Sequence, residues 1–434
     1  MRDAEVRYAE RDGDYLAFSV FGEGPQDLAV TQSRFPIDLM WELPQLASFM
    51  EALGRMARVI VWDGRGFGAS DPVAAAGPYT AEISAEDRRA VLDAADSDRV
   101  TMFEMSGSSA SAIFAATYPE RVRSLIEVNL RASYPELHSL SAKQRKKLAV
   151  RFRSPEQLRV ENPRVAHDPG LQRWWVRAAR LVSSPEQMAR NMEGALDVTD
   201  VLPSIHVPTL VLHRRDNRVW DLETSRAAAA LMPNARFVEL PGAENDIYLG
   251  DTTPVLTEIE RFLAEPEAKV VSDRVLATVL FTDMVASTEQ LAERGDDAWR
   301  HLLDDYEKST DRIVAEYRGR VVKQTGDGIL ATFDGAARAV RCAAALLEAA
   351  NLQGITLRAG LHTGEIELGP KDVVGIAVHI ANRISALADA NEILVSRTVV
   401  ELTGGSGLRF QPRGERQLKG VPGNWPTFAA LPPT

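Results

Sequence analysis

Val275-Leu276-Ala277-Thr278-Val279-Leu280-Phe281-Thr282-Asp283 is a run of apolar and β-branched residues that ends on a carboxylate. Such a run reads as a buried strand. The residues after it, 284–288, lead into a helix that begins near Ser287, so Asp283 stands at a strand end beside a helix amino terminus. Backbone N–H groups without helical partners point outward there, which suits a metal ion and a polyphosphate. Further on, Lys323-Gln324-Thr325-Gly326-Asp327-Gly328 separates two alternating runs and reads as a hairpin with Asp327 at its tip. Taken singly, Asp283 could merely cap a helix and Asp327 merely fill an Asp-Gly turn.

From this point to the carboxy terminus, strand, helix, hairpin, helix, strand and helix follow in short order, ending in Gly- and Pro-rich turns. That order suits an α+β sandwich on a mixed or antiparallel sheet. Upstream, residues 263–273 carry Glu-Pro-Glu and mixed charges after an amphipathic helix, which places a domain boundary there. The expected division is residues 1–265, a linker at 266–274, and residues 275–434. In the first part, short β-rich runs at 28–31, 59–62, 100–103, 125–128, 210–212 and 236–239 alternate with helical stretches. This is the α/β pattern of a doubly wound parallel sheet. Between about 134 and 202 the strand signal vanishes and Arg, Lys, Leu and Trp recur at helical spacing, including Trp174 and Trp175, which reads as a helical cap.

A chain of 434 residues with 45% hydrophobic and 26% charged residues has material for two or three full cores. Its formal charge of −11 disfavours nucleic acid or anionic lipid surfaces as partners. The one cysteine, Cys342, lies in an alanine-rich helical stretch and reads as a small buried thiol, in keeping with a reducing cytoplasm. The first residues are charged rather than apolar, and no run approaches the about 18 apolar residues of a membrane span, so neither a signal peptide nor a membrane helix is expected.

Over residues 275–431 the sequence resembles the catalytic domain of class III adenylate and guanylate cyclases. The resemblance implies a ferredoxin-like α+β domain. Phe281-Thr282-Asp283 and Gly326-Asp327-Gly328 match the family's two metal motifs, so Asp283 and Asp327 would anchor two Mg²⁺ or Mn²⁺ ions. Arg358, in Leu357-Arg358-Ala359-Gly360-Leu361-His362-Thr363-Gly364, matches the phosphate-binding arginine; Lys323 and Asp372 fall on the purine-reading positions. Arg383 falls on the transition-state arginine, and Lys419, in Leu418-Lys419-Gly420, on a lysine that touches the triphosphate. One departure stands out: His379 occupies a position where the family usually has asparagine, so either a catalytic hydrogen bond with an altered pH response or a structural role is open to it. His362 reads as inward-facing and structural. By the same resemblance two copies would pair head to tail, with the metal aspartates of one facing the purine and transition-state residues of the other.

The chemistry accounts for those residue types on its own terms. Cyclisation needs the ribose 3′ oxygen to attack the α-phosphorus while pyrophosphate leaves, and two oxygen-liganded cations suit that step. Charge builds on the phosphate oxygens, so Arg358, Arg383 and Lys419 would act electrostatically. A lysine donor with an aspartate acceptor fits adenine's N1 and exocyclic amine, and guanine presents the reverse pattern at those positions. ATP is the expected substrate.

In the first part, Asp63-Gly64-Arg65-Gly66-Phe67-Gly68-Ala69-Ser70 resembles a turn of the α/β-hydrolases, over about residues 6–262. Ser106, in Phe103-Glu104-Met105-Ser106-Gly107-Ser108, lies where that fold puts its nucleophile elbow, although Glu104 takes the first glycine position and Ser108 is a competing serine. The acid position falls on Asn217 and the histidine position on Asn245, and 31–35 lacks the glycine of an oxyanion loop. A degenerate hydrolase domain is expected, kept as a regulatory or sensing module whose pocket, near Trp174, Trp175, Ser106, Asn217, Asn245 and Tyr248, would take a small apolar or ester-like molecule. The tryptophans could equally fill only the cap core. The competing readings are a working esterase with a cyclase-like dimerisation domain, and a binding scaffold with neither activity.

Overall fold

The hairpin Val6–Arg11 (β1) and Asp14–Phe21 (β2) opens the fold, turned by Asp12 and Gly13 with φ of 53° and 86°. Two successive positive-φ residues match the twist of the flanking strands, which is why Asp-Gly is favoured in such turns. The computed structural model describes residues 4–73, 80–105, 110–193, 195–265, 274–324, 326–369 and 372–432. They fall into two compact units, Met1–Tyr79 with Ile83–Val271, and Thr80–Glu82 with Ser272–Thr434. The expected linker at 266–274 lies outside the described residues except for Arg274.

In the first unit the remaining strands are Asp27–Thr31 (β3), Arg58–Trp62 (β4), Val100–Glu104 (β5), Val122–Val128 (β6), Thr209–Arg214 (β7) and Ala235–Leu240 (β8). They form one sheet in the order β1-β2-β4-β3-β5-β6-β7-β8. From β4 to β8 all neighbours are parallel, whereas β1, β2 and β4 pair antiparallel, so the sheet is mixed at one edge rather than parallel throughout. The parallel strands are nearly continuous apolar runs because helices cover both faces. Five helices between Pro135 and Glu193 separate β6 from β7, where the cap was expected. In one of them, Pro169–Val182, Leu171, Trp174, Trp175, Ala178 and Val182 recur at helical spacing and are buried. Both indoles join the main core with Phe35 and Tyr248, and Trp174 Nε1 donates to the Leu39 carbonyl at 3.1 Å. The tryptophans are core residues.

The second unit contains Arg274–Met284 (β9), Arg320–Gln324 (β10), Ile329–Phe333 (β11), Leu357–Leu368 (β12), Val373–Val374 (β13), Ile393–Ser396 (β14), Phe410–Gln417 (β15) and Asn424–Ala430 (β16). The strand order is β10-β11-β9-β12-β14-β16-β15, with β13 on the far end of β12. Only the β12–β14 pairing is parallel among these, giving the mixed α+β sheet. Helix Ile376–Leu387 lies flush on β12 because Gly360 has no side chain: a Cβ there would collide with the Ser385 backbone. Cys342 is buried in helix Ala336–Leu352, and burial pushes its thiol up to about 12. No helix among the described residues is long and apolar enough to cross a membrane.

Candidate active site

Asp283 is the penultimate residue of β9, and strand pairing sets Arg358 of β12 directly opposite it. The Arg358 guanidinium donates through Nε at 2.8 Å, and also through Nη2, to Asp283 Oδ2. Both side chains are about one-third exposed, 34% for Asp283 and 32% for Arg358, so the pair faces solvent rather than the core.

Asp327 reaches the same place from the β10–β11 turn. Its carbonyl accepts the Met284 amide at 3.0 Å, and the Thr282 hydroxyl oxygen accepts the Ile329 amide at 3.2 Å. These two bonds clamp the turn on the end of β9. Gly328 permits the approach, because a Cβ at that position would run into the Thr282 carbonyl. Beyond Met284 the chain reverses through Ala286, in the left-handed region at φ 57° and ψ 37°, into helix Ser287–Arg294. The Ser287 hydroxyl donates to Asp327 Oδ2 at 2.6 Å. Asp283, Asp327, Arg358 and Ser287 are therefore one group. Sequence reasoning missed Ser287 and Thr282, since both act on a segment some forty residues away. Tyr306, buried behind Thr282 with the hydroxyls 3.4 Å apart, has its phenol pushed up by burial.

The two purine candidates form a second group. Lys323 Nζ lies 3.1 and 3.0 Å from the two Asp372 oxygens. The Asp372 carboxyl is held below its ordinary range first by the Lys323 hydrogen bond and then by the Val373 amide. Val322 and Val373, their chain neighbours, pack against the cluster that includes Ala377 and Ala381 of helix Ile376–Leu387. With Ala377, Ile380, Ala381, Ile384 and Ser385 buried, the same helix turns His379 and Arg383 outward, and both are exposed. Leu418 packs with Ile380 and Ile384, which anchors the turn bearing exposed Lys419 beside that helix, next to an open depression lined by residues from Gln417 to Asn424. No hydrogen bond or ion pair among the described residues links this second group to Asp283 and Asp327.

His362 points inward from β12: its Nδ1 meets Ser396 Oγ at 2.8 Å, Trp425 packs edge-on against it, and burial pushes the imidazole down to about 3.

In the first unit, Ser106 and Ser108 lie outside the described residues. Asn217 and Asn245 do come together. Asn217 Nδ2 donates to Asn245 Oδ1 and to Asn129 Oδ1, and Asn129 Nδ2 donates to Asn245 Oδ1, each at 3.3 Å. Asn129 is a third member that the sequence did not announce. Nothing in three amides takes up a proton near neutral pH. Glu104, at the first-glycine position, is fully buried and accepts from Ser111 Oγ at 3.1 Å. His213 is buried on β7 with its ring stacked on Phe237. Asp63 accepts the Ile37 and Ala69 amides at 3.0 Å, and Arg65 forks onto Asp87, so the Asp63–Ser70 stretch is a structural turn.

Comparison with known proteins agrees with this division. Residues 271–430 match the adenylate and guanylate cyclase catalytic domain, and residues 40–252 the alpha/beta hydrolase fold. "Putative adenylate cyclase 3" of Rhizobium meliloti is 35% identical over 158 residues, covering 34% of this chain and 27% of that protein. "Adenylate cyclase" of Streptomyces coelicolor is 31% identical over 131 residues, covering 30% of this chain and 34% of that one. The chain thus spans about a quarter to a third of the length of these relatives. A thermophilic esterase from Thermogutta terrifontis superposes with a TM-score of 0.51 at 24% identity, over 61% of this chain and 100% of the esterase, a likeness of fold alone. The chain joins a segment of the α/β-hydrolase fold to a catalytic domain of the class III adenylate and guanylate cyclases.

Proposed function

We propose that the second unit converts ATP to 3′,5′-cyclic AMP and pyrophosphate at sites shared between two copies of the chain, and that the first unit is a regulatory module that has lost hydrolysis. The observation that carries the choice of ATP is the Lys323–Asp372 pair, a donor and an acceptor held 3.0 Å apart on an open surface. The lysine donates to adenine N1 while the aspartate accepts from the exocyclic amine.

Asp283 and Asp327 offer an oxygen-only donor set of the kind Mg²⁺ and Mn²⁺ take, and two such ions would neutralise charge on the triphosphate and the attacking oxygen. Arg358 moves from Asp283 to a phosphate oxygen as nucleotide arrives. Arg383 and Lys419 meet the charge that grows on the α-phosphate and the departing pyrophosphate as the O3′–phosphorus bond forms and the bridging P–O bond breaks. His379, one helical turn before Arg383, donates a hydrogen bond to the same region. No hydrogen bond or ion pair among the described residues joins Asp283 and Asp327 to the Lys323–Asp372 pair, and in the proposed dimer a second copy supplies the complement of each group. The first unit biases how the copies align, in response to a small apolar or ester-like ligand.

The test is full-length protein with Mn²⁺ and either ATP or GTP, compared side by side over a range of protein concentrations. Cyclic AMP formation that rises faster than linearly with protein and is abolished by Asp327→Ala supports the proposal. Faster turnover of GTP would overturn the reading of Lys323 and Asp372. The alternative, an esterase with a cyclase-like dimerisation domain, requires hydrolysis of short-chain nitrophenyl esters that Ser106→Ala removes; the amide trio speaks against it.

A further inference from the structure

The Asp283 and Asp327 carboxylates are each held at one oxygen, the first by a cation and the second by a neutral hydroxyl. Arg358 puts two donors on Asp283 Oδ2, and the Ser287 hydroxyl occupies Asp327 Oδ2 at 2.6 Å. In both cases no hydrogen bond among the described residues reaches Oδ1. The Ser287 contact has the length of a charge-assisted O–H···O⁻ bond, a class roughly twice as strong as neutral hydrogen bonds. It also fixes the carboxylate's second torsion, since the Asp327 backbone is already tied to Met284.

The route by which Ser287 gets there is costly. Ala286 adopts φ 57° and ψ 37°, the left-handed region in which a Cβ crowds the following carbonyl oxygen. A strained residue persists where its surroundings over-determine it. Here the reversal brings the first residue of helix Ser287–Arg294 over the β10–β11 turn, so that its hydroxyl spans to Asp327.

We infer that Ser287 is a positioning residue for cation binding: its hydroxyl holds Oδ2 of Asp327 so that Oδ1 faces the divalent ion. The inference rests on the two-cation reading given above. Partners that orient a metal ligand are typically worth 10- to 100-fold in metal affinity when removed. The role belongs to the ligand rather than the nucleotide, so ATP binding at saturating cation is unaffected by its loss.

Mn²⁺ uptake by the full-length protein without nucleotide, followed by the electron paramagnetic resonance signal of the free ion, separates these ideas. Wild type, Asp327→Ala, Ser287→Ala and Ser287→Thr are compared, with unfolding temperature as a check on folding. Ser287→Ala is expected to weaken Mn²⁺ binding about 10-fold or more. Threonine, which keeps the hydroxyl, restores it, and the KM for ATP at saturating Mn²⁺ stays unchanged in both. Wild-type Mn²⁺ affinity in Ser287→Ala, while Asp327→Ala has lost it, overturns the inference and leaves the two-cation reading standing; so does a rise in the KM for ATP alone. If Asp327→Ala binds Mn²⁺ like wild type, or wild type takes up none, the underlying reading fails as well.

Discussion

Arg358 and Asp283 are cross-strand partners on β12 and β9, and the arginine holds one carboxylate oxygen through two of its donors. A cation of the protein therefore sits on the carboxylate that a metal ion would use. In the proposed mechanism one is exchanged for the other: a divalent ion would take the carboxylate and free the arginine for phosphate.

Replacing Arg358 by alanine separates those two duties. Turnover should fall about 100-fold or more, the usual effect of removing a donor aimed at developing charge. Mn²⁺ affinity without nucleotide should not fall, because a competing cation has gone. Steady-state kinetics and Mn²⁺ titration of the same variant check both; a parallel loss of metal binding would show that Arg358 instead supports the Asp283 carboxylate.

Lys323→Ala is expected to lower kcat/KM for ATP by about 10- to 100-fold, the range for an unpaired polar group in a recognition site, and to narrow the preference over GTP. The unfolding temperature should hardly change, since the Lys323–Asp372 bridge is exposed and solvent-screened. A large drop in unfolding temperature without a change in nucleotide preference would assign the pair to structure.

His362 sets a pH dependence of stability. Buried beside Ser396, it titrates near 3 in the folded chain, against about 6.5 unfolded. Between those values the unfolded state binds a proton that the folded state refuses. Stability is thus full above pH 6.5 and falls as pH drops through the window, by up to about 1.4 kcal/mol per unit from this group. His362→Gln should flatten that slope in denaturant melts of the full chain; an unchanged slope would contradict a buried neutral imidazole.

For the first unit, the Asn129–Asn217–Asn245 trio predicts no ester hydrolysis above the uncatalysed rate, because no group at those positions can act as base. Measured turnover of a nitrophenyl acetate with saturation kinetics, abolished by Ser106→Ala, would contradict this.

The sequence made the fold class legible where one periodicity dominates. The run ending at Asp283 has no competing reading, and the β-runs from 28–31 onward alternate cleanly with helices. The β1–β2 hairpin carried its signal in Asp12-Gly13, but Arg7 and Glu10 interrupt the strand pattern because that edge faces water. Trp174 and Trp175 were ambiguous since large aromatic residues at helical spacing serve cores and ligand pockets alike; both lie buried in the main core, where Trp174 packs against Phe35 and donates to the Leu39 carbonyl. Asn129 and Ser287 were illegible for a different reason. Each owes its place to partners brought near only by the tertiary fold, Asn129 to Asn245 and Ser287 to Asp327. Motif spacing carries no trace of such contacts.

The central claim is that ATP is cyclised at a site divided between two copies, with Asp327 from one and Arg383 from the other. Mixing Asp327→Ala with Arg383→Ala, each inactive alone, tests it most directly. Random pairing makes half of the dimers mixed, each with one intact site out of two, so cyclic AMP formation should recover to about a quarter of the wild-type rate. No recovery in a mixture shown to exchange subunits, or full activity in either variant alone, would contradict the account.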